Sequence, residues 1–445
     1  MGQSSSENES TSVQGESAPV KPGFWDAFRF WLKLGFISFG GPTGQLAIMH
    51  AELVERRRWI SENRFLHALN FCMLLPGPEA QQVATYIGWL LHRTRGGIAA
   101  GALFVLPSAI ILWALSFVYM RYGDVPAVAA IFYGLQPAVI AIVAAAVLRI
   151  GSKALKNEIL WGVALMAFVA IFFLKVPFVL IILGAGVFGF VGGKFFPDKF
   201  TVAKGHGNEP ASVLADDDEA QIPPTLGRAV RVASICLALW WAPILAAGLW
   251  RGWDGILFQQ GLFFSKAALV TFGGAYAVLP YVAQQAVENY GWLSTNQMMA
   301  GLGLAETTPG PLIMVLQFVG FVGGWQHPGE MNPLLAATLG AAITTWSTFL
   351  PCFLFIFLGA PYIERLRNVK TLTSVLSTIT AAVVGVVLNL AVWFGWHVIF
   401  PAGIDWFALV AAMVFFFGIQ RFRWGIIPVV LCASLLGVVY KLPVG

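Results

Sequence analysis

Apolar stretches of roughly 20 residues, the length that a helix needs to cross a bilayer, recur along most of the chain. Of the 445 residues, 58% are hydrophobic and only 11% are charged. Soluble domains carry about 25% charged residues, so the composition predicts an all-α polytopic membrane protein. The clearest stretches are Ile98–Tyr119, Ala127–Leu148, Ile159–Val176, Phe178–Gly193, Val232–Trp250 and Pro333–Leu358.

The net charge of +5 does not indicate nucleic acid, because basic residues of membrane proteins collect in cytoplasmic loops. The cysteines are scattered through apolar segments without metal-ligand spacing, and we interpret them as small core residues. The sequence therefore predicts no cofactor and no metal site. The cysteines are Cys72, Cys236, Cys352 and Cys432.

One set of motifs occurs twice, 233 positions apart. The polar break Pro76-Gly77-Pro78 recurs as Pro309-Gly310-Pro311, and Phe39-Gly40-Gly41 recurs as Phe272-Gly273-Gly274. Further along, Leu106-Pro107 pairs with Leu350-Pro351 at a larger spacing of 244, which indicates an insertion in the second copy. Matches in one register over some fifty residues predict two homologous halves.

The repeat and the polar segments of the sequence together predict four parts of the chain. Residues 1–23 are polar and are expected to be a disordered tail, and residues 24–195 form the first transmembrane repeat. Residues 196–231 are polar and charged and are expected to be a cytoplasmic linker. Residues 232–445 form the second transmembrane repeat.

The positive charges of the two halves lie in different loops. In the first half they flank the Pro-Gly-Pro segment, at Arg56–Arg58 and at Arg93 and Arg95, and a third basic cluster at a membrane face contains Arg149, Lys153 and Lys156. The equivalent loops of the second half carry no Lys or Arg, and the positive charges lie instead at residues 365–370. The halves are therefore expected to insert in opposite orientations, as an inverted repeat with a cytoplasmic N-terminus.

The segment Ser61–Leu91 lies between two basic clusters on one side of the membrane, so it must enter and return. Its length suits two short helices, and Pro-Gly-Pro falls between them. We expect a re-entrant or tightly bent hairpin, with a second break at Phe39-Gly40-Gly41. Two full-length helices joined near the far face give the same charge pattern and stay an alternative.

A helix that begins in mid-membrane presents unpaired N–H groups and a partial positive charge, and Pro78 suits its first position. Glycine at the break lets the backbone approach a ligand, so the motifs predict an anion site. The alternative is structural, because Gly, Pro, Ser and Thr are common in membrane helices. The candidate substrate-binding residues are Ser38, Gly40, Gly41, Thr43, Gln45, Pro76, Gly77, Pro78, Gln82, Thr271, Gly273, Gly274, Thr307, Thr308, Pro309, Gly310 and Pro311. Gln81, Thr85, Tyr86, Tyr276 and Gln317 are further nearby donors.

Four ionisable residues lie in apolar segments, where such residues are functional candidates. Glu79 and Glu306 flank the two Pro-Gly-Pro motifs and are candidates for proton coupling. The alternative for both is capping of a helix N-terminus. Lys33 and Lys266 occupy the same repeat position, where each can attract an anion or extend its amine to the interface.

The motifs together resemble the chromate ion transporter family of prokaryotes, in its long two-domain form. The segments that carry the resemblance are SFGGPTGQLAIMHAELVERRRWI, LLPGPEAQQVATYIGWLLHRTRGGIAAGALFVLPS, VTFGGAYAVLPYV and WLSTNQMMAGLGLAETTPGP. The resemblance covers essentially the whole chain outside the tail and the linker. The family's glycine–proline motifs fall on Gly40, Gly41, Pro42, Pro76, Gly77, Pro78, Gly273, Gly274, Pro309, Gly310 and Pro311, whereas Ala275 stands where many relatives carry a third glycine.

The resemblance implies a transporter of the bacterial cytoplasmic (inner) membrane that expels chromate at the expense of the proton gradient, as an antiporter, and confers chromate resistance. Sulfate is then expected as a competitor or second substrate. A general oxyanion carrier and a passive anion channel stay open, as does a homodimer. An enzyme such as a chromate reductase is disfavoured because the chain offers no flavin or haem motif and no cysteine pair. The lack of a Walker A signature disfavours ATP-driven pumping.

Overall fold

The structure, a computed structural model, describes residues 22–195, 225–362, 370–401 and 403–441. Within these ranges it contains sixteen α-helices and no β-strand. The expected tail, apart from its last two residues, and most of the expected linker therefore lie outside the described residues. The sequence prediction of an all-α polytopic membrane protein is confirmed.

Seven helices lie before residues 196–224, a gap that the structure does not describe. One additional helix follows the gap. The eight helices after it correspond in order to the seven helices of the first half. In the first half the helices are α1 (Phe24–Ile37), α2 (Gly41–His50), α3 (Glu62–Cys72), α4 (Glu79–Tyr122), α5 (Pro126–Ala154), α6 (Glu158–Phe172) and α7 (Phe178–Phe195). The additional helix is α8 (Leu226–Arg251), which begins inside the segment expected to be linker. The second half contains α9 (Ile256–Leu269), α10 (Ala275–Ala283), α11 (Thr295–Thr307), α12 (Val315–Gln326), α13 (Pro333–Gly359), α14 (Lys370–Ile399), α15 (Trp406–Phe422) and α16 (Ile426–Lys441).

Helix bounds recur at the spacing of the motifs. Helix α2 continues into a π-helical turn at Ala51–Arg56, and α10 continues into one at Gln284–Asn289, 233 positions later. The single helix α4 corresponds to the pair α12 and α13. By length and composition, six of the described helices can cross a membrane: α4, α5, α7, α8, α13 and α14.

Helix α4 is two helical arms that fold back on each other. A straight helix of 44 residues would be about 66 Å long, twice the hydrocarbon thickness of a bilayer. The backbone is not helical at His92 and Arg93, where φ of Arg93 is +54°. The arms then pack so closely that a Cβ on Gly88 would lie 2.4 Å from the carbonyl oxygen of Gly96.

The helices form two bundles, which we name by their members. The hairpin bundle contains α1–α4 and α8–α13, with α13 packed against α4, α8, α9 and α12. The six-helix bundle contains the last three helices of each half, with α14 packed against α5, α6 and α7, and α5 packed against α15 and α16. The two bundles meet where α10 packs on α14 and where α11 packs on α5 and α16.

Candidate functional site

The helix breaks of the two halves are hydrogen-bonded to each other. The N–H of Gly77 donates to the carbonyl of Thr271 at 2.7 Å, and the N–H of Gly310 donates to the carbonyl of Ser38 at 2.7 Å. Each Pro-Gly-Pro element thus binds the end of the broken helix of the other half. The two bonds join positions that correspond in the repeat, so the arrangement is reciprocal.

Gly310 is enclosed by side chains of the first half. The amide nitrogen of Gln45 donates to the Gly310 carbonyl, and Gln45 is only 1% exposed. The φ of Gly310 is +97°, and a Cβ there would lie 2.6 Å from Cβ of Ser108. Glycine is therefore required both by the backbone conformation and by the approach of α4.

Gly77 has the corresponding environment. Its φ is +123°, and a Cβ would lie 2.8 Å from Sγ of Cys352 on α13. Gln82 folds back so that its Nε2 donates to the carbonyl of Pro76 at 2.7 Å. Ser108 and Cys352 are 244 positions apart, which is the spacing of the two Leu-Pro pairs that precede them.

Several polar atoms around the breaks are buried and have no hydrogen-bond partner among the described residues. Both polar atoms of the Gln81 side chain lack one, although the residue has no exposed surface. Buried polar groups are normally hydrogen-bonded, so such a cluster is typical of a site for a ligand or water. The other members are Oγ of Ser38, Oε1 of Gln45, Oε1 of Gln82 and Oγ of Ser108.

The atoms available to an anion differ from those expected. Because the N–H groups of Gly77 and Gly310 bind carbonyls, these glycines join the halves and do not present their N–H groups to a ligand. Pro78 is the N-cap of α4 and Glu79 is its first residue, one position later than expected. The remaining donors are the first-turn N–H groups of α4, the Gln81 amide and the hydroxyls of Ser38 and Ser108.

Glu306 lies in the last turn of α11, so its interpretation as an N-terminal cap is wrong. The C-terminus of a helix disfavours a carboxylate, because the carbonyl groups there carry partial negative charge. Other groups stabilise it: the hydroxyl of Tyr276 donates to Oε1 of Glu306, and the positive charge of Arg149 on α5 acts on both residues. Glu306 is 7% exposed and lies where the two bundles meet. Glu79, in contrast, does lie in a first helical turn.

The threonines of the predicted site direct their hydroxyl protons to backbone carbonyls. Thr271 donates to Ala267, Thr308 donates to Ala305, and Thr307 donates to Gly303 and Leu304. Their oxygens can accept a hydrogen bond, but an anion needs donors. Thr43 has an exposed side chain on α2.

The glycines Gly40, Gly41, Gly273 and Gly274 all have positive φ, between +68° and +93°, at the breaks before α2 and α10. A Cβ would meet no atom within 4 Å at Gly41 or Gly274. These two positions border open space next to the broken helix ends, as a site that admits a ligand requires.

Lys33 and Lys266 lie on exposed surfaces of α1 and α9, outside the buried cluster. Three residues of the site were missed by the sequence reasoning: Ser108, Cys352 and Arg149. The repeated Leu-Pro pairs directly precede Ser108 and Cys352 and were an available signal. Arg149 was assigned only to a basic cluster at a membrane face, and nothing in the sequence connects it with Glu306.

Comparison with known proteins gives a family for the chain. The family model described as "Chromate transporter" matches residues 25–190 and 258–438, one match in each half. The chain is 31% identical to the chromate transport protein of Pseudomonas aeruginosa, over 85% of this chain and 83% of that protein. It is 29% identical to the chromate transport protein of Cupriavidus metallidurans, over 80% of this chain and 79% of that protein.

A probable chromate transport protein of Synechococcus elongatus is 28% identical, over 82% of this chain and 83% of that protein. No solved structure matches the chain. The family matches leave out α8 and the gap before it, and they contain both pairs of helix breaks. Since the family model extends over more than half of the sequence, the chain belongs to the chromate transporter family.

Proposed function

We propose that this protein is a secondary active transporter that exports chromate across the bacterial cytoplasmic membrane and so confers chromate resistance. The observation that carries the proposal is the reciprocal pairing of Gly77 with Thr271 and of Gly310 with Ser38, surrounded by buried polar atoms without partners. Such a site is shared between the two halves, as transport by alternating access requires. The relatives named as chromate transport proteins support chromate as the transported ion.

In this proposal the dianion binds beside the first turn of α4. The N–H groups of that turn, the Gln81 amide and the hydroxyls of Ser38 and Ser108 donate to its oxygens. Gly41 and Gly274 leave room for it. Nearly all of these donors are neutral, which favours transport because a transported ion must also be released.

The halves are proposed to be inverted in the membrane. The short helices α1 to α3 and the first arm of α4 enter and leave at one face. The second arm of α4, α5, α6 and α7 then cross four times, with α6 counted as a crossing because it is apolar, although it is shorter than the six helices named above. The first half thus ends on the face where it began. Helix α8 carries the chain across, so the second half starts from the opposite face, in agreement with the positions of the basic residues.

Export is proposed to occur in exchange for protons, with Glu79 and Glu306 as the proton-binding groups. Glu79 lies in the first turn of α4, next to the anion donors. Glu306 lies at the contact between the two bundles, where its charge faces Arg149. A proton on Glu306 cancels that attraction and weakens the contact, which links protonation to a change of conformation.

The direct test is uptake of labelled chromate into everted vesicles, with and without an imposed pH gradient, and with sulfate as competitor. Accumulation that requires the gradient and that sulfate barely inhibits is the expected result. Equilibration without accumulation would indicate a channel. Equal transport of sulfate would indicate a general oxyanion carrier.

The carboxylates are tested separately with Glu79→Gln and Glu306→Gln, which keep shape and remove the titration. We expect at least one of them to retain chromate binding but to lose the dependence of transport on pH. Glu288→Gln, at an exposed position of the second π-helical turn, is the matched control. If both variants transport with the pH profile of the wild type, these residues are not the coupling groups.

A further inference from the structure

The first-half hairpins are α1–α2 and α3 with the first arm of α4, and the corresponding second-half hairpins are α9–α10 and α11–α12. The two sets differ in how far other helices cover them. Eight of the nine residues of α10 are buried, whereas only two of the ten residues of α2, Gln45 and Met49, are buried. Eight of the thirteen residues of α11 are buried, against four of the eleven residues of α3. Sequence correspondence does not explain this, because the helices have matching order and nearly matching bounds.

The six-helix bundle causes the difference. It packs on the second-half hairpins through α5, α14 and α16, and ring contacts such as Phe178 with Tyr281, at 5.5 Å, add to this surface. The main contacts of α2 and α3 are with α4 and with the π-helical turn beside α2. The equivalent surface on the first-half hairpins is therefore left uncovered by the residues that the structure describes.

The uncovered surface is unsuited to lipid. It includes the broken backbone at Gly40 and the polar side chain of Thr43, together with Ala47 on the next turn of α2. Lipid cannot satisfy the polar groups of a non-helical backbone, so such a break needs protein or water beside it. At its base lie Ser38 and Gln45, each with a buried oxygen that has no protein partner.

Charge at the surface favours an anion. Helix α2 leads from the break to Arg56–Arg58, and Lys33 is exposed one turn before the break. Positive charge around a cleft raises the local concentration of an anionic substrate. The acidic groups at this end are partly engaged: Glu52 binds Arg56 and Arg57, and Glu55 and Glu62 bind His50.

We infer that the uncovered face of α2 and α3 is the water-filled route by which the anion reaches the helix breaks from the side of Arg56–Arg58. The six-helix bundle closes this route by shifting from the second-half hairpins onto the first-half hairpins. The inference rests on the proposed transport function. The repeat supplies an equivalent docking surface on each side, so the two positions of the bundle are alternative packings of the same elements.

The route is tested by thiol accessibility in vesicles, on a background in which the exposed Cys432 is replaced by serine. Single variants Thr43→Cys and Ala47→Cys are treated with a charged, membrane-impermeant thiol reagent from each side. The matched control is Ala277→Cys on α10, where the residue is 0% exposed. We expect fast labelling of Thr43→Cys and Ala47→Cys from the Arg56–Arg58 side only, at least tenfold faster than labelling of Ala277→Cys.

Two results overturn the route. If a second copy of the chain covers this face, Ala47→Cys resists labelling and oxidation joins two protomers through it. If the face is in lipid, a lipid-soluble maleimide labels the thiol and the charged reagent does not. Labelling does not depend on transport, so it separates a failure of the route from a failure of the proposed function.

The shift is tested by a cross-link between the bundles. A Cβ on Gly303 of α11 would lie 2.6 Å from Cγ of Leu135 on α5, close enough for Leu135→Cys with Gly303→Cys to form a disulfide. Oxidation is expected to stop transport and leave Ala47→Cys fully accessible, and reduction is expected to restore transport to the level of the unoxidised double variant. If the oxidised protein transports at the unoxidised rate, the bundle does not shift.

Discussion

At the scale of the residue, the site depends on glycines whose neighbours come from the other half of the chain. Gly310→Ala adds one Cβ at a φ of +97°, 2.6 Å from Cβ of Ser108. Backbone strain and overpacking each destabilise by about 1–3 kcal/mol. We expect Gly310→Ala to abolish chromate uptake in vesicles while the protein still inserts.

The double variant Gly310→Ala with Ser108→Gly separates these two effects. Removing Cβ of Ser108 relieves the contact but not the strain, so the thermal stability of the purified protein is expected to recover in part. Uptake is not the readout for this variant, because it also loses the Ser108 hydroxyl that is proposed to bind the anion. Gly329→Ala is the control for strain alone, since φ of Gly329 is +59°, no atom lies within 4 Å of the added Cβ, and the residue lies outside the proposed site. Full activity of Gly310→Ala would show that the close approach is not needed for transport.

Residue patterns predicted the positions of the helix breaks better than the contacts that the breaks make. The repeated Pro-Gly-Pro and Phe-Gly-Gly motifs identified the breaks, because proline and glycine interrupt helices by known rules. The pairing of Gly77 with Thr271 joins residues 194 positions apart, and a spacing along the chain does not tell which half supplies the partner. The position of Glu306 at the end of α11 likewise depended on where that helix stops.

At the scale of the element, the two arms of α4 pack through glycines. A Cβ on Gly96 would lie 2.2 Å from the carbonyl oxygen of Gly88, whereas a Cβ on Gly162 of α6 would meet nothing within 4 Å. Alanine favours a helix over glycine by about 1 kcal/mol. Gly162→Ala should therefore slightly raise the thermal stability of the purified protein, and Gly96→Ala should lower it.

Both substitutions replace glycine by alanine, so the opposite changes expected in thermal stability can be compared directly. The measurement is the midpoint of thermal unfolding in detergent, with the yield of folded protein as a second readout. If Gly96→Ala is as stable as Gly162→Ala, the arms are not in contact. The sequence predicts a hairpin over Ser61–Leu91 that ends before the basic residues Arg93 and Arg95, but it does not predict the close packing of Gly88 on Gly96.

The first π-helical turn carries an ion-pair cluster that the second lacks. Burial of Glu52 acts to raise its pKa, but the hydrogen bonds and charges of Arg56 and Arg57 outweigh it, so the pKa lies below its ordinary value of 4.5. The contribution to stability is therefore present at neutral pH, begins to fall as the pH approaches 4.5, and disappears below it. Its size is about 1 kcal/mol.

Glu52→Gln is thus expected to destabilise the protein at pH 7, and its difference from the wild type is expected to shrink as the pH falls below 4.5. Glu288→Gln, in the second π-helical turn, is the control and should change little at either pH. Thermal unfolding of both variants at several pH values is the measurement. A destabilisation of Glu52→Gln that stays constant down to pH 4 would contradict the ion-pair explanation.

At the scale of the whole molecule, the repeat was predictable and its asymmetry was not. Matching motifs imply matching helices, and the structure has them in the expected order. Which pair of hairpins the six-helix bundle covers depends on a balance between two similar docking surfaces. Such a balance is set by many interactions across the molecule, such as the attraction between the charges of Arg149 and Glu306, and no local pattern contains it.

In the proposed topology, helix α8 sets the orientation of the second half. If the first half crosses four times and α8 once, the second half starts on the opposite face and its own four crossings return it there. Nine crossings place the two ends of the chain on opposite sides of the membrane. We expect a reporter fused to the N-terminus to be active in the cytoplasm, and one fused after Lys441 to be active on the outer side.

Deletion of residues 226–251 tests the same point through the basic residues. The second half then has to insert with Arg421 and Arg423 on the outer side, against the preference of basic residues for the cytoplasm. We expect the deleted protein to insert poorly and to transport no chromate. Replacing α8 by an unrelated apolar helix of 26 residues should restore insertion. If the deletion variant inserts and transports normally, α8 does not supply the crossing that inverts the second half.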